Sequence, residues 1–270
     1  MLLAVTCSTL VLACNSSSSP STPDVGAAAI HPGASADHPC SSDGDVLDTA
    51  KVYIEHNATD ADTGVHGLIG GAPWQSICVT ASDGTVLWAI EPSDRLGELG
   101  VSDFFWESNE PPNGEYSIDD LESDFPAGVY LVSSIGVDGV GRVAEALFTH
   151  TIPAEPLISE PPLVPDLDGE EPPVIDGPGL VVVWEPVTET IDGQPIDIAG
   201  YQVIITDEEA DDPNGWARPV YDVHVGPTVT ALPVPDEFFE FNTIYEVEVL
   251  AIEPSGNQTI SVGFFRTGGR

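Results

Sequence analysis

The stretch from Glu55 to Gly67, EHNATDADTGVHG, places two histidines, one glutamate and two aspartates within a short span. Imidazole nitrogens and carboxylate oxygens are the donors that hold zinc, and acidic loops can hold calcium. His56 and His66 lie ten positions apart, with no cysteine or His-Glu-x-x-His spacing to complete a zinc set. An EF-hand loop begun at Asp60 would place its obligatory glycine at Val65 and its glutamate at Gly71, so that motif is absent. Asp60 and Asp62 stay as weak calcium candidates. The flanking runs AKVYIEHN and VHGLIG read as strands, which makes NATDADTG an inter-strand loop with Asn, Asp and Gly in turn positions. Such a loop at one end of a sandwich is a place for contacts, and no catalytic residue is assigned to it.

Other chemistry is thin. No Gly-x-Ser-x-Gly, His-Glu-x-x-His or phosphate-loop motif occurs. GVGRVA, residues 139–144, echoes a dinucleotide fingerprint, but a strand and a proline-rich run follow it where a helix is required. Adjacent carboxylates such as Asp119-Asp120, Glu170-Glu171 and Asp211-Asp212 are expected by chance in a chain with 45 acidic residues. The acidic runs 166–171 and 206–215 read as solvated turns able to take calcium weakly. Trp216 beside the second is either a contact aromatic or a cover for the sheet edge.

Those 45 acids face only six Lys and Arg, a formal net charge of -39. Nucleic acid and anionic lipid are thereby excluded as partners, because both need basic contacts. Self-repulsion of this size favours a salty medium, which screens it. With 25 prolines and 26 glycines, the chain is punctuated too often for long helices, and its Val and Ile runs favour short strands.

Residues 1–13 form an apolar run too short to span a bilayer, and they read as a secretory signal. Val11-Leu12-Ala13-Cys14 resembles a bacterial lipobox, and the serines behind it suit a flexible tether. The resemblance implies lipid attachment at Cys14; ordinary cleavage and secretion is the alternative. Cys40 and Cys78 then remain outside the cytoplasm, where disulfides persist. A bridge between them would contribute on the order of 3–4 kcal/mol in the chain-entropy model; two free buried thiols are the alternative.

Residues 14–46 lack large apolar groups and read as a disordered tether. Residues 47–153 hold AKVYIEHN, a hairpin around Ser82-Asp83-Gly84, the run FFWES, one short helix capped by Ser117 with Asp120 three residues on, and the closing strands PAGVYLVSSIG and RVAEALFTHTI. This predicts an N-terminal β-sandwich. After a proline-rich run, LVVVWEPV, AGYQVIIT and YEVEVLAIE alternate apolar with polar residues, as half-buried antiparallel strands do.

The second unit, 154–270, resembles a fibronectin type III domain over roughly residues 156–267. Trp184 fits the tryptophan of its second strand and Tyr201 the tyrosine opening its third. The family's Leu-x-Pro-Gly-Thr-x-Tyr reads here Phe239-Glu240-Phe241-Asn242-Thr243-Ile244-Tyr245. Phe241 departs from proline, and Asn242 stands for glycine, which Asn can do in the left-handed region. The resemblance implies a tyrosine corner at Tyr245, core roles for Trp184 and Tyr201, and a spacer or binding module. The Arg-Gly-Asp of some relatives is replaced by the turn Pro254-Ser255-Gly256-Asn257.

The resulting expectation is an all-β chain of two tandem antiparallel, immunoglobulin-like sandwiches, non-enzymatic and lipid-anchored at the outer membrane or cell surface, or secreted. It would serve in binding, adhesion or spacing, with a surface protein or glycan as partner and no cofactor beyond weakly bound calcium. The alternatives are a carbohydrate-binding accessory module, for which exposed Trp74, Trp88 and Trp106 would speak, and a calcium-dependent structural module.

Overall fold

The computed structural model describes residues 40–176, 179–211 and 218–269. The signal segment, Cys14, most of the tether, Trp216 and part of the acidic run 206–215 lie outside the described residues. Strand accounts for 50% of the described residues and helix for 7%, so the class is all-β.

The first core is built from β1 (Asp45–Val46), β2 (Thr49–Asn57), β3 (Asp62–Thr80), β4 (Val86–Ile90), α1 (Asp94–Leu99), β5 (Val101–Glu107), α2 (Ile118–Asp124), β6 (Gly128–Gly136) and β7 (Gly141–Phe148). VHGLIG and QSICVT belong to one strand, β3. Its first half pairs with β2 and β5, and its second half with β4 and β6. The register shifts between Gly70 and Ser76, where Gly71 takes φ +145°. A strand that bends at such a point passes from one layer to the other, and Trp74 fills the corner at 1% exposure. Ile54, Ile69, Val79, Tyr130, Val132 and Phe148 lie buried between the layers.

Order begins earlier than the expected boundary at residue 47. Asp45 and Val46 pair in parallel with Arg142 and Val143, and a disulfide joins Cys40 to Cys78. Helix α2 carries a capping box, with Ser117 Oγ accepting from Asp120 N at 3.1 Å and the Asp120 carboxylate accepting from Ser117 N at 3.1 Å. Helix α1 was not expected, since its short DRLGEL run carries no apolar periodicity and no buried residue.

The second core lies between two sheets. One has β8 (Ile158–Glu160), β10 (Val181–Trp184) and β13 (Ala231–Pro233) in the order β13-β10-β8. The other has β11 (Gly200–Asp207), β12 (Val220–Val225), β14 (Ile244–Ile252) and β15 (Gln258–Thr267) in the order β15-β14-β11-β12, with β9 (Val174–Ile175) parallel to the end of β15. Trp184, Tyr201, Val203, Tyr245, Val247, Val249 and Phe265 fill the space between. The alternation seen in YEVEVLAIE sends Val247 and Val249 inward and Glu246 and Glu248 to the outer face.

Tyr245 is fully buried, and its hydroxyl accepts from Glu240 N at 2.8 Å. Tyr245→Phe leaves that backbone donor unpaired beside the core. We expect a loss of about 1–2 kcal/mol in urea unfolding, with no change in circular dichroism of the folded protein.

Candidate functional site at the junction of the two cores

The two cores share one twelve-stranded sheet, because β2 of the first pairs in parallel with β15 of the second. Gln258, Thr259 and Ile260 lie beside Glu55, His56 and Asn57. Ala58 N donates to Ile260 O at 2.9 Å, and Val262 N donates to Thr59 Oγ1 at 2.8 Å. Two strand edges that would otherwise offer unpaired backbone groups cover one another here.

The turn between β14 and β15 completes the joint. Glu253 shapes it by accepting from Ser255 N and Asn257 N, each at 3.0 Å. Asn257 is wholly buried. Its Oδ1 accepts from Ile54 N at 2.8 Å, and its Nδ2 donates to Thr149 O, Thr149 Oγ1 and Thr151 O at 3.0, 2.9 and 3.0 Å. Thus the turn that corresponds to the Arg-Gly-Asp position of some fibronectin domains is spent on an internal contact.

Beside the joint, one sheet face carries a cluster of ionisable groups. Register places Tyr53 and Glu55 of β2 on the same face as Gly64 and His66 of β3 and Glu107 of β5. Glu110 reaches this face from the segment after β5. Ser108 and Asn113 tie that segment down, with Ser108 N donating to Val65 O at 2.9 Å, Ser108 Oγ accepting from Val65 N at 2.9 Å, and Asn113 N donating to Ala61 O at 2.7 Å. Gly64 lets Glu110 lie flat on the strand. A Cβ there would stand 2.6 Å from Glu110 Cγ and 2.9 Å from Ser108 Oγ, so only glycine admits this close approach.

His66 is 2% exposed and sits between two carboxylates. Nε2 lies 2.7 Å from Glu110 Oε1, and Nδ1 lies 3.8 Å from Glu55 Oε2, too far for a hydrogen bond. Gln258 Nε2 donates to the same Glu55 carboxylate from the second core. The rings of Tyr53 and Phe105 stand 5.5 and 5.9 Å from the imidazole and fix its plane. Burial pushes the Glu55 carboxyl above its ordinary range, against the opposing pull of His66. Burial also pulls His66 down, but the Glu110 hydrogen bond and the charges of Glu55, Glu110 and Glu107 outweigh it and leave the imidazole raised. Among the described residues, Glu55, His66 and Glu110 form the group of His, Cys, Asp and Glu side chains whose ligand atoms converge, all within 4.8 Å.

The calcium candidates do not join that group. Asp60 accepts from Asn57 Nδ2 at 3.0 Å and caps the β2–β3 turn, with its own N donating to Asn57 Oδ1 at 3.1 Å. Asp62 opens β3 with Oδ1 enclosed and unpaired, and its carboxyl is pushed up to about 6 by burial and then by Glu110. His56 points to the other face, where Nδ1 meets Asp62 O and Thr63 Oγ1 at 3.1 and 2.9 Å. The histidine pair is therefore split by the pleat, and a single residue of the pair, His66, meets the carboxylates. Glu55 and His66 stood in the stretch that drew attention in the sequence. Glu110 did not, since 44 residues separate it from His66.

Among the described residues, the three tryptophans expected to speak for sugar binding pack on the first core, Trp88 and Trp106 half-buried. Trp74 is buried, and Trp88 packs edge-on to Phe104 and Trp106 at 5.3 and 6.0 Å. Among the described residues, no helix is long and apolar enough to cross a membrane.

No family model and no curated protein matches this chain. Similar solved structures include the FN1–FN3 domains of chicken CNTN1, at 12% identity and a TM-score of 0.29, covering 83% of this chain and 66% of that one. A two-domain fibronectin type III segment of chicken tenascin is 10% identical, also at 0.29, covering 83% of this chain and all of that one. The fold is read instead from strand order and burial: three strands face four around Trp184, Tyr201 and a Tyr245 corner, which makes the second unit an antiparallel, immunoglobulin-like β-sandwich.

Proposed function

We propose that this chain is a non-enzymatic binding or spacer module of the cell surface, held by lipid at Cys14 through a serine-rich tether. The observation that carries this reading is the joint. A continuous sheet and a wholly buried Asn257 fix two sandwiches to one another, as a protein that presents a surface at a set distance requires. The burial of Trp74 and the edge-on packing of the half-buried Trp88 and Trp106 favour this reading over a sugar-stacking face. A surface protein or glycan would then meet the exposed loops of this paired unit.

Small-angle scattering from residues 40–270 tests the rigid arrangement. We expect one profile, fitted by a single rigid body, from low to molar NaCl. A profile that requires an ensemble of unit orientations would overturn the spacer reading. Mass spectrometry of the mature N-terminus tests the anchor separately: a diacylated Cys14 is expected, and an unmodified residue would remove the lipid from the proposal.

A further inference from the structure

We infer that a cavity at the end of the second sandwich takes an arginine side chain from a protein partner. Strand β15 leaves the joint at Gln258–Ile260 and reaches this cavity at Phe265, Thr267 and Gly268. The cavity measures about 230 Å³. That is room for one long side chain rather than for a drug-sized ligand, whose sites run to about 300–1,000 Å³. Leu180, Phe239 and Phe265 give it apolar walls, and Asp176, Asp236 and Glu240 line it as well. Phe241, which departs from the proline of the resembling motif, adds a further ring.

Hydrogen bonds hold the walls in place before any ligand arrives. Gly268 N donates to Ile175 O at 2.9 Å, and Asn242 N donates to Gly268 O at 3.1 Å. Thr267 Oγ1 donates to Glu240 O, and Gly179 N to Asp236 Oδ1, both at 2.6 Å. Phe239 stands edge-on to Phe265, with ring centroids 5.9 Å apart. A Cβ on Gly268 would collide with Asp176 Oδ1, so the glycine is what seats that carboxylate on the wall. A frame tied in this way loses little freedom on binding.

Charge selects the ligand. Among the described residues, the lysine and arginine ion pairs lie at Arg142, Arg218 and Arg266, and none involves Asp176, Asp236 or Glu240. Arg266, beside Thr267, turns instead to Glu209 and to Asn242 O. Apolar walls next to carboxylates without a cation call for an apolar stem that ends in a positive head. Basic side chains have that build, since their methylenes cover apolar surface while the head keeps to polar groups. Arginine suits the cavity best, because its planar guanidinium stacks on aromatic faces and offers five donors to carboxylates. A neutral apolar side chain would cover the carboxylates without pairing them, at a cost. A second copy of this chain is disfavoured as the donor, since its net charge of -39 opposes self-association. The inference rests on the reading of this chain as a binding module and supplies the chemistry of its partner.

The test is an amide-detected NMR titration of the isotope-labelled protein in about 0.15 M NaCl, where the Debye length is about 8 Å. The probes are Nα-acetyl-arginine amide, Nα-acetyl-norleucine amide, which lacks the charge, and guanidinium chloride, which lacks the stem. We expect saturable shifts with the arginine probe, centred on the amides of Leu180, Phe239 and Gly268, and an affinity at least about fivefold above that of either other probe. Glu240→Gln and Asp176→Asn should each weaken the arginine probe at least about threefold. Both variants should keep the wild-type circular dichroism, because the structural bonds of Glu240 run through its backbone. Glu98→Gln, exposed on α1 of the first unit, should bind as the wild type does. Shifts that spread over the acidic surface without saturating, or an equal response to guanidinium alone, would show diffuse attraction of cations and overturn the site. An equal response to the norleucine probe, or an unchanged affinity in both carboxylate variants, would overturn the basic ligand. A failed titration would leave the scattering profile and the N-terminal mass untouched, so the two readings fail separately.

Discussion

Asn257→Ala is expected to split the unfolding of this protein into two transitions and to cost about 3–5 kcal/mol. The magnitude follows from the partners left behind. Ile54 N, Thr149 O and Thr151 O all meet the Asn257 carboxamide inside the joint. Each buried backbone group stripped of its partner costs about 1–3 kcal/mol, less where water can enter. No second side chain can replace the carboxamide, because the site needs one acceptor and a donor serving three oxygens. Asn257→Asp should therefore be no rescue: it keeps the acceptor for Ile54, loses the donors, and sets a new charge beside Glu253, which already accepts from Asn257 N. Calorimetry reads the outcome. In the wild-type protein the joined sheet should give one cooperative transition; in the variant the first core should melt apart from the second. A single transition shifted by less than about 1 kcal/mol would mean that the β2–β15 pairing alone couples the cores.

How far the sequence reveals this architecture depends on the range of the contact. Alternation along YEVEVLAIE and AGYQVIIT is local, and it marks β14 and β11 together with their inward faces. Ser117 and Asp120 mark α2 because a capping box lies within four residues. The passage of β3 between layers is only half visible: Gly70-Gly71 and Pro73 look like a break between two strands, yet they bend one. The joint leaves no local trace. Pro254-Ser255-Gly256-Asn257 is ordinary turn chemistry, and nothing in its composition says that the asparagine is buried against β2 and Thr149. A three-residue parallel pairing across two hundred positions has no periodicity to read. The same holds for the buried cluster. Glu55 and His66 drew attention for their types, but their meeting requires the register of β2 on β3, and Glu110 requires the covering segment to lie on Gly64. Counting spacing within EHNATDADTGVHG pairs His56 with His66, and the pleat sends those two to opposite faces.

The outer face of the joined sheet also fixes how stability should respond to pH and salt. Burial, then Glu208, pushes Glu246 from 4.5 up to about 7. Burial, then Glu246, Glu55, Glu208 and Asp222, raises Glu248 well above its ordinary value. Glu55, Asp62 and His66 are raised too. For each of these groups the folded chain holds its proton more tightly than the unfolded chain. The associated stability is present below the unfolded pKa and is lost as pH climbs through the folded value. Glu246 alone corresponds to about 2 kcal/mol after allowance for solvent screening. Two groups act the other way at the acid end. Burial lowers His56, and an Arg142 hydrogen bond holds Asp138 at about 2; both favour the folded state less as pH falls. Tm should therefore peak near pH 5 and fall by pH 8, opposite to a protein held together by ionised carboxylate pairs. Salt should act on the same charges. With a formal charge of -39, raising NaCl from low to molar concentration should lift Tm, and more so at pH 8, where Glu246 and its neighbours are ionised, than at pH 5. Unfolding curves at the two pH values and two salt concentrations form a four-point test. A Tm that is higher at pH 8 than at pH 5 in low salt would show that the outer-face carboxylates are not carrying protons in the fold. A Tm indifferent to salt at pH 8 would show that their repulsion does not limit stability.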